Sequence, residues 1–388
     1  MMYSGYCSKE LCEYFVRVFG IDNAQAMITA LRAPPSRYYL RVNTLKISKQ
    51  GLLDLFKRKG FEVHEDELLP DAIYLKVEGP FEVPKGGKVV VADKFAAESV
   101  YIGSNLYCPG VRRADPSISV GDEVVILSPR GEVVAWGIAE MDGNAMRARK
   151  KGLAVRVLKS KYRAPSLRTL EEYNLGYFYE QSLPSILVSW ILHPEAEEVV
   201  IDMCAAPGGK TTHMAQLMGN EGQIYAFEKS PKRAERLIQN LRRLGIENVK
   251  VMIHDSRYVH VDYPEIRADK ILLDPPCSAL GVRPKLYETR TLREIVGTME
   301  YQRQFLKAAS KSLKKGGYLV YSTCTLTLEE NELNIKYALD SLGFKLVEQP
   351  LVLGSPGLAI EGAEKLQRFY PHVHDTPGYF IALLCKER

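Results

Sequence analysis

The sequence predicts an α/β protein: a doubly wound domain built on a parallel sheet, preceded by a small α+β domain and by an inserted module that is mostly β. With 388 residues, the chain is long enough for two or three domains of about 100–200 residues each. Short β-type segments separated by turn signals lie in its middle third. From residue 197 onward, β-type segments alternate with helical stretches, which is typical of a parallel sheet covered by helices.

Residues 1–85 predict the small α+β domain. Apolar residues recur at helical spacing in residues 8–19 and 23–31, and again in residues 51–59 before Gly60. The segment YYLRVNTL, which follows Pro34 and Pro35, is typical of a strand. Two helices, a strand and a third helix are therefore expected here.

Residues 86–163 predict the inserted, mostly β module. The runs KVVVA, DEVVILS and EVVAWGIAE have strand character. Turn signals separate them at Pro109-Gly110, Gly121-Asp122 and 129–131. A charged stretch, KSKYRAP, marks the end of the module.

Residues 164–388 predict the doubly wound domain. Its expected parallel strands are EEVVIDM, GQIYAFE, NVKVMIH, ADKILLD and GGYLVYS. In such folds ligands bind beyond the carboxyl ends of the strands. The residues that close each strand are therefore the first candidates for a functional site.

Composition narrows the class of protein. Lys and Arg outnumber Asp and Glu by 52 to 47, a mild excess that fits a polyanionic partner without requiring one. The seven cysteines include no C-x2-C pair, so we expect free thiols in a reducing cytoplasm and no metal site. The longest apolar run, residues 186–192, is far shorter than the roughly 20 residues that cross a bilayer. A cytoplasmic protein without a membrane segment is expected.

The first strand of the doubly wound domain runs from Asp202 into the small-residue loop CAAPGGKTT and then into a helix. Glycines allow the backbone to approach a ligand, and a helix N-terminus offers free N–H groups. The next three strands also close on acidic residues, Glu228, Asp255 and Asp274. Any one of them alone is as often a helix cap or turn residue. Together they favour an adenosine-like ligand without phosphates, because carboxylates repel a di- or triphosphate.

A phosphate-binding loop is the competing interpretation. Residues 204–211 are one substitution from G-x-x-x-x-G-K-[ST], with Cys204 in place of the first glycine. An ATPase would use Lys210 on the phosphates and Thr211 on magnesium. The missing glycine, the rigid Pro207 and the acidic strand ends disfavour this alternative.

Two cysteines follow strands at the same edge of the predicted sheet: Cys277 in LLDPPCSALG and Cys324 in YSTCTL. A free cysteine is more often a buried apolar residue. Loops rich in Pro, Ser and Thr at the ligand edge favour a reactive thiol instead. Asp274, three residues before Cys277, is the best candidate for an acid that contacts the substrate.

These motifs resemble a known family. DMCAAPGGKT, LLDPPCSALG and YSTCTLTLEEN look like the strongest motifs of the Nop/Sun-type RNA cytosine-5 methyltransferases, and PHVHDTPGYFIALL is similar to their C-terminal hairpin. The resemblance covers about residue 163 to the end. It implies a Rossmann-like, S-adenosylmethionine-dependent methyltransferase domain and an enzyme that methylates carbon 5 of cytosine in RNA.

The resemblance also implies site residues. Glu228 is a mild departure, since relatives often have Asp at this position. Lys210 and Asp274 would also line the catalytic pocket. The implied cofactor-binding residues are Cys204, Ala205, Ala206, Pro207, Gly208, Gly209, Lys210, Glu228, Arg233, Asp255 and Asp274.

Carbon 5 of cytosine is a weak nucleophile, and a thiolate that adds to carbon 6 converts the ring into an enamine able to attack a methyl group. An acid must then balance the charge at N3, for which Asp274 is the candidate. After methyl transfer a base removes the proton from carbon 5, and the thiol is eliminated. The residues alone do not assign the two thiols. The resemblance implies that Cys324 attacks and that Cys277 promotes release.

The N-terminal parts add a second resemblance. YYLRVNTLKIS looks like the family's RNA-binding, RRM-like element, and the inserted module is similar to a PUA domain. A PUA domain at this position resembles the branch that methylates the acceptor end of tRNA. That implies tRNA as the partner, with the acceptor stem and CCA end bound; we expect a monomer, no membrane and no metal.

The module also carries candidate RNA contacts. Lys and Arg neutralise phosphates, and an exposed Tyr can stack on an unpaired base. A solvated basic surface is the alternative. The expected RNA-binding residues are Tyr107, Arg112, Arg113, Lys150, Lys151 and Lys161.

A different class of protein remains as an alternative: an RNA-binding or assembly factor with a vestigial methyltransferase fold. The presence of Cys324, Cys277 and Asp274 together speaks against it. No catalytic role is expected for His213 or His254.

Overall fold

The computed structural model describes residues 5–387, and its strands form three sheets. The first sheet belongs to the N-terminal domain and has the strand order β10-β1-β3-β2, all antiparallel. Its last strand, β10, comes from beyond the inserted module and pairs with β1. The elements are α1 (Lys9–Phe19), α2 (Ile21–Leu31), β1 (Arg37–Val42), α3 (Lys49–Arg58), β2 (Val63–Glu65), β3 (Ala72–Lys76) and β10 (Phe178–Glu180).

The three helices expected in this domain are confirmed. Ser8 caps α1 by accepting a hydrogen bond from the backbone N–H of Leu11, and Ser48 caps α3 in the same way. Such caps satisfy donors that the first helical turn leaves free. The YYLRVNTL segment forms β1, with Leu40 and Val42 fully buried.

The inserted module is confirmed as mostly β. Its six strands follow the order β5-β9-β8-β7-β4-β6, and β4 and β7 are the parallel pair. Its core is a separate apolar cluster. The elements are β4 (Lys88–Ala92), α4 (Lys94–Tyr101), β5 (Leu106–Tyr107), β6 (Val111–Ala114), β7 (Glu123–Leu127), β8 (Val133–Ala139), α5 (Gly143–Ala148) and β9 (Leu153–Ser160).

The C-terminal domain contains the doubly wound sheet. Five neighbouring strands, β13-β12-β11-β14-β15, are parallel and include all five segments expected from the sequence. The last strand of the chain, β18, joins β15 antiparallel, and β16 pairs with β18 to form the edge of the sheet. The elements are α6 (Glu171–Asn174), α7 (Leu183–Leu192), β11 (Val199–Asp202), α8 (Gly209–Leu217), β12 (Gln223–Phe227), α9 (Pro231–Leu244), β13 (Val249–Met252), α10 (Val259–Asp262), β14 (Ala268–Leu273), α11 (Leu292–Ser312), β15 (Leu313–Thr323), α12 (Glu332–Leu342), β16 (Phe344–Leu346), β17 (Gln367–Phe369), α13 (Pro371–His374) and β18 (Tyr379–Lys386).

The N-terminal domain packs directly on the catalytic edge of this sheet. The helices α1 and α2 share one apolar core with Leu280 and Leu326, which lie close to the two cysteine loops. Arg41 of β1 is fully buried and donates hydrogen bonds to the Gln181 side chain, the Gly209 carbonyl and the Thr212 hydroxyl. The N-terminal domain therefore holds the first turn of α8 in place through Arg41.

One expectation about the cysteines is wrong. Cys7 and Cys12 form a disulfide, although all seven cysteines were expected to be free thiols. The spacing alone does not predict this pairing. A helix begins between the two residues and brings Cys12 back toward Cys7. The other five, including Cys277 and Cys324, are free.

From residue 5 to residue 387, none of the helices is long and apolar enough to cross a membrane.

Candidate active site

The loop after β11 is shaped by Asp202. This carboxylate accepts hydrogen bonds from the Cys204 backbone N–H (3.2 Å) and from the Thr211 hydroxyl (2.6 Å). It is completely buried, and burial raises its pKa to about 6. Asp202 therefore holds both ends of the loop together and does not line the cavity that contains the other three acidic strand ends.

Gly208 makes the turn into α8. Its φ of +109° is in the left-handed region, and a Cβ atom there would lie 2.7 Å from the Leu237 side chain. Glycine is the residue that accepts both conditions. The loop backbone can therefore come close to a bound molecule, as expected.

A cavity of about 250 Å³, the acidic cavity, lies beyond the strand ends and contains Glu228, Asp255 and Asp274. Phe227 and Phe305 form part of its apolar wall. Arg233 lies 3.3 Å from the Glu228 carboxylate and donates to the Ala206 carbonyl at 2.6 Å. Glu228, Arg233 and the loop are thus joined in one arrangement. Carboxylates on an apolar pocket suit a ribose with its purine, as the sequence predicts.

Asp255 is less free than the sequence suggests. Arg257 donates to both of its oxygens, at 2.6 to 3.1 Å, and these hydrogen bonds lower the pKa of the Asp255 carboxyl. Asp255 consequently stays ionised in the lining of the acidic cavity, with part of its hydrogen-bonding capacity already used by Arg257.

The two candidate thiols meet at the same cavity. The Sγ atoms of Cys277 and Cys324 are 3.4 Å apart. A hydrogen bond from Cys277 lowers the pKa of the Cys324 thiol, while its burial opposes that effect. The pKa of Cys277 is raised by the same contact and by burial. Of the two thiols, Cys324 is therefore the more acidic, and a more acidic thiol is more readily converted to the reactive thiolate.

Lys210 and Asp274 form an ion pair of 2.7 Å between Nζ and Oδ2. The Ser322 hydroxyl donates to the other oxygen of Asp274 at 3.1 Å. Burial lowers and the Asp274 carboxylate raises the pKa of Lys210, with a net upward shift, so Lys210 carries a positive charge. Lys210 Nζ also lies 5.7 Å from the centre of the Tyr379 ring.

A second cavity of about 250 Å³, the lysine cavity, lies on the other side of the loop and is lined by Lys210, Gln181 and Tyr179. It shares Cys204, Ala206 and Asp274 with the acidic cavity, so the loop and Asp274 form the partition between the two.

Most of the expected site residues are brought together. Asp274 and the loop residues Cys204 and Ala206 contact both cavities, and Gly208 supports the loop from behind. The expected residues that line the acidic cavity are Cys204, Ala206, Glu228, Arg233, Asp255, Asp274, Cys277 and Cys324. Those that line the lysine cavity are Cys204, Ala205, Ala206, Pro207, Gly209, Lys210 and Asp274.

Sequence reasoning missed Glu330. This fully buried side chain accepts hydrogen bonds from the Ser278 N–H (2.8 Å) and hydroxyl (2.5 Å) and from the Thr327 hydroxyl (3.0 Å). It therefore ties the Cys277 loop to the loop after Cys324. The available signal was an acidic residue in the TLTLEEN segment, but charge alone does not distinguish a buried clamp from a surface carboxylate.

His213 and His254 are each paired with an aspartate. His213 is fully buried, with Nε2 2.7 Å from Asp71. His254 pairs with Asp262 at 2.8 Å and contributes to the wall of the acidic cavity. Within residues 5–387 no group of three or more His, Cys, Asp or Glu side chains could hold a metal ion.

Five of the expected RNA-binding residues are exposed on the module. Tyr107 is 56% exposed, and the turn that follows it is tied to the segment containing Lys150 and Lys151, because the Cys108 N–H donates to the Gly152 carbonyl. Arg112 and Arg113 are exposed on the adjoining β6. Lys161 lies apart from them, beyond the opposite end of β9, and is only half-buried.

Comparisons with known proteins agree with this geometry. Residues 189–385 match the family described as 16S rRNA methyltransferase RsmB/F. Residues 88–160 match the PUA domain, and residues 11–82 match the ferredoxin-like domain of RsmF/B-like methyltransferases. The fold class expected from the sequence is confirmed, and the phosphate-loop interpretation is not supported.

Individual relatives are similar over nearly the whole chain. The tRNA (cytosine(72)-C(5))-methyltransferase of Pyrococcus horikoshii is 51% identical over 97% of this chain and 96% of its own. The human tRNA (cytosine(72)-C(5))-methyltransferase NSUN6 is 31% identical over 96% of this chain and 88% of its own. A crystal structure of NSun6 from Pyrococcus horikoshii with SFG has a TM-score of 0.92 at 50% identity, covering 99% of both chains. With its thiol pair, acidic cavity and PUA insertion, this chain belongs to the RsmB/F family of methyltransferases.

Proposed function

We propose that this protein transfers the methyl group of S-adenosylmethionine to carbon 5 of cytosine 72 in tRNA. The observation that carries the proposal is the thiol pair Cys277–Cys324, 3.4 Å apart at the wall of the acidic cavity. The position in tRNA is supported by the relatives that act on cytosine 72 and match this chain almost end to end.

The acidic cavity fits the adenosine part of this cofactor. Glu228 provides carboxylate oxygens for ribose hydroxyls, and the Phe227 and Phe305 rings provide an apolar surface for the base. The acidic lining would repel phosphates, which S-adenosylmethionine lacks. SFG, the S-adenosylmethionine analogue sinefungin, was present with the related NSun6. When bound, S-adenosylmethionine supplies an electrophilic methyl group.

The thiol pair performs the covalent part of the reaction. The Cys324 thiolate forms a bond to carbon 6 of the cytosine, and the ring electrons move to carbon 5, which then accepts the methyl group. Asp274 contacts the ring at N3, and the positive charge of Lys210, joined to Asp274 by the 2.7 Å ion pair, offsets the negative charge that develops on the ring.

Release reverses the addition. A base removes the proton from carbon 5, the electron pair reforms the ring double bond, and the bond between Cys324 Sγ and carbon 6 breaks. The proton on Cys277 hydrogen-bonds to the departing Cys324 thiolate and stabilises it as a leaving group. Removing Cys277 should therefore slow release more than attack.

The target base must leave its stack to reach Cys324, which costs least at a helix end. The lysine cavity adjoins a larger cavity of about 610 Å³ through Glu180, Gln181 and Ser182. All three domains contribute to that larger cavity, with Tyr38, Ile102 and Val282 among its lining residues. It provides room for nucleotides next to the flipped base.

The finer features of RNA recognition belong to the same proposal. The exposed Tyr107, Arg112, Arg113, Lys150 and Lys151 suit the unpaired CCA end, through stacking and phosphate contacts. We also propose that the protein acts as a monomer in the cytoplasm; light scattering at working concentration tests the oligomeric state.

Methyl transfer to tRNA transcripts tests the function. Labelled S-adenosylmethionine is offered with an intact transcript, with a transcript carrying uridine at position 72, and with one lacking the CCA end. We expect transfer to the first, none to the second, and reduced transfer to the third. RNA binding without transfer to any transcript would favour the vestigial RNA-binding factor instead.

A further inference from the structure

The segment that follows Cys277 connects the catalytic loops to both RNA-binding domains. We call residues 283–288 the strap. Arg283 donates hydrogen bonds to the carbonyls of Ala30, Ala33 and Pro34, and the Lys285 N–H donates to the Leu31 carbonyl. These contacts tie one end of the strap to the end of α2.

The strap is also inserted into the PUA module. Leu286 is 3% exposed and is a member of the module's own apolar core. Its backbone N–H donates to the Glu98 carboxylate of α4 at 3.1 Å. A change in how the module sits on the protein therefore moves the strap directly.

Lys285 links the strap to the active site. Its Nζ donates to the Ala279 carbonyl at 2.6 Å and to the Glu288 carboxylate at 2.8 Å, and it is only 6% exposed. Ala279 lines the acidic cavity two residues after Cys277 and has a φ of +55°. A non-glycine residue with its backbone in the left-handed region is held there by its surroundings. At Ala279 these are the Lys285 hydrogen bond and a longer one from the Val282 N–H at 3.3 Å.

The same turn reaches the second thiol. Gly281 N–H donates to the Cys324 carbonyl at 2.9 Å. The charge of Lys285 also contributes to lowering the pKa of Cys324, after the larger effects of the hydrogen bond with Cys277 and of the Lys210 charge. The position of both thiols is therefore linked to the strap through the Ala279 turn, and the charge of Lys285 makes a smaller contribution to the pKa of Cys324.

We propose that Lys285 is a positioning residue for methyl transfer, which holds the Ala279 turn behind Cys277 and is itself held by the Leu286 anchor in the PUA module. This inference rests on the proposed function of the thiol pair. It gives the module a second role besides binding RNA: the module also supports the catalytic loop.

The test compares Lys285→Met and Leu286→Ala with a matched control, Lys270→Met. Lys270 is also a buried lysine, bonded to the His193 carbonyl at 2.6 Å and to Glu198 at 3.0 Å. It lies near the start of β14, whereas Cys277 follows the end of that strand. Single-turnover methyl transfer, S-adenosylhomocysteine affinity and the pH profile of Cys324 alkylation by iodoacetamide are measured for each folded variant.

We expect Lys285→Met to lower the single-turnover rate by about 10–100-fold, as for a misplaced catalytic group, with unchanged S-adenosylhomocysteine affinity. The alkylation midpoint of Cys324 should move to higher pH. Leu286→Ala keeps the buried charge of Lys285 and should also lower the single-turnover rate. If Lys285→Met does not fold, Leu286→Ala alone tests the inference. Lys270→Met should leave the rate and the midpoint unchanged.

A wild-type rate in the strap variants, or an equal loss in Lys270→Met, would overturn the inference. If the wild-type protein itself transfers no methyl group, the proposed function fails. The alkylation profile then still decides whether Lys285 acts on Cys324.

Discussion

The thiols of Cys277 and Cys324 are 3.4 Å apart although 47 positions separate them in the chain. One follows β14 and the other follows β15, and these two strands are neighbours in the parallel sheet. Their hydrogen bond lowers the pKa of Cys324 and raises the pKa of Cys277. The two thiols therefore differ in acidity before any substrate binds, as the proposed roles of nucleophile and partner require.

Cys277→Ala should trap the covalent intermediate, because the Cys324 thiolate loses the hydrogen bond that stabilises it as a leaving group. A denaturing gel should show a slowly migrating protein–RNA band for this variant. Cys324→Ala should show no band, since the attacking atom is missing. The reverse pattern would exchange the roles of the two residues.

The pH profile of Cys324 alkylation should have a midpoint below the value of about 8.5 that is usual for cysteine. Alkylation needs the thiolate, so its rate rises with pH through the folded-state pKa. Cys277→Ala removes the largest cause of the lowered pKa, so the midpoint should move upward. A midpoint that stays in place would mean that Cys277 does not set the ionisation of Cys324.

Glu228→Gln should weaken S-adenosylhomocysteine binding by about 10–100-fold, since hydrogen bonds to a charged group contribute about 1.5–3 kcal/mol. Titration calorimetry measures this change. Glu235→Gln is the matched control, because Glu235 is an exposed carboxylate on α9. Equal affinities in the two variants would remove Glu228 from the cofactor site.

The Asp202 carboxyl should make stability depend on pH. Its folded-state pKa of about 6 lies above the unfolded value of about 3.9, so the folded protein retains a proton that the unfolded chain releases. Its contribution is present below about pH 4 and is lost as pH rises through about 6. The neutral amide of Asp202→Asn does not titrate. As pH rises through that window, the free energy of unfolding of the variant should therefore increase relative to that of the wild type by up to about 3 kcal/mol, measured by urea unfolding. If the difference in the free energy of unfolding between Asp202→Asn and wild type did not change with pH, this prediction would be contradicted.

Salt dependence and affinity of tRNA binding should distinguish phosphate contacts from base-stacking contacts on the module. Arg112→Ala should reduce the slope of log affinity against log salt for tRNA by about one, as expected for one lost phosphate contact. Tyr107→Ala should weaken binding by about 1–3 kcal/mol without changing the slope, as expected for lost stacking. Lys336→Ala, an exposed lysine on α12, should change neither quantity. Identical slopes for Arg112→Ala and wild type would move the RNA to another surface.

The parallel sheet was predictable because each strand carries its own signal. Runs such as ADKILLD and GQIYAFE are apolar on both faces and end on an acidic residue, so they specify both the strand and the functional edge. Position at one edge then brings Glu228, Asp274 and both thiols together without any knowledge of side-chain packing.

What the sequence does not contain is contact between distant segments. Glu330 clamps Ser278 from 52 residues away. Lys285 bonds to the Ala279 carbonyl, while the next residue, Leu286, packs into a module that occurs much earlier in the chain. A buried carboxylate and a surface carboxylate look the same in one sequence. Asp202 shows the converse: its position suggested a contact with the adenosine-like ligand, but it lies outside the acidic cavity and its hydrogen bonds hold the loop.

The most direct test of the account uses a tRNA transcript with 5-fluorocytidine at position 72, because the fluorine replaces the proton that must leave carbon 5 and so prevents release of the thiol. After incubation with S-adenosylmethionine, the protein–RNA adduct is digested and the modified peptide is identified by mass spectrometry. The account predicts a nucleotide on Cys324. A nucleotide on Cys277, or no adduct with an otherwise bound transcript, would contradict it.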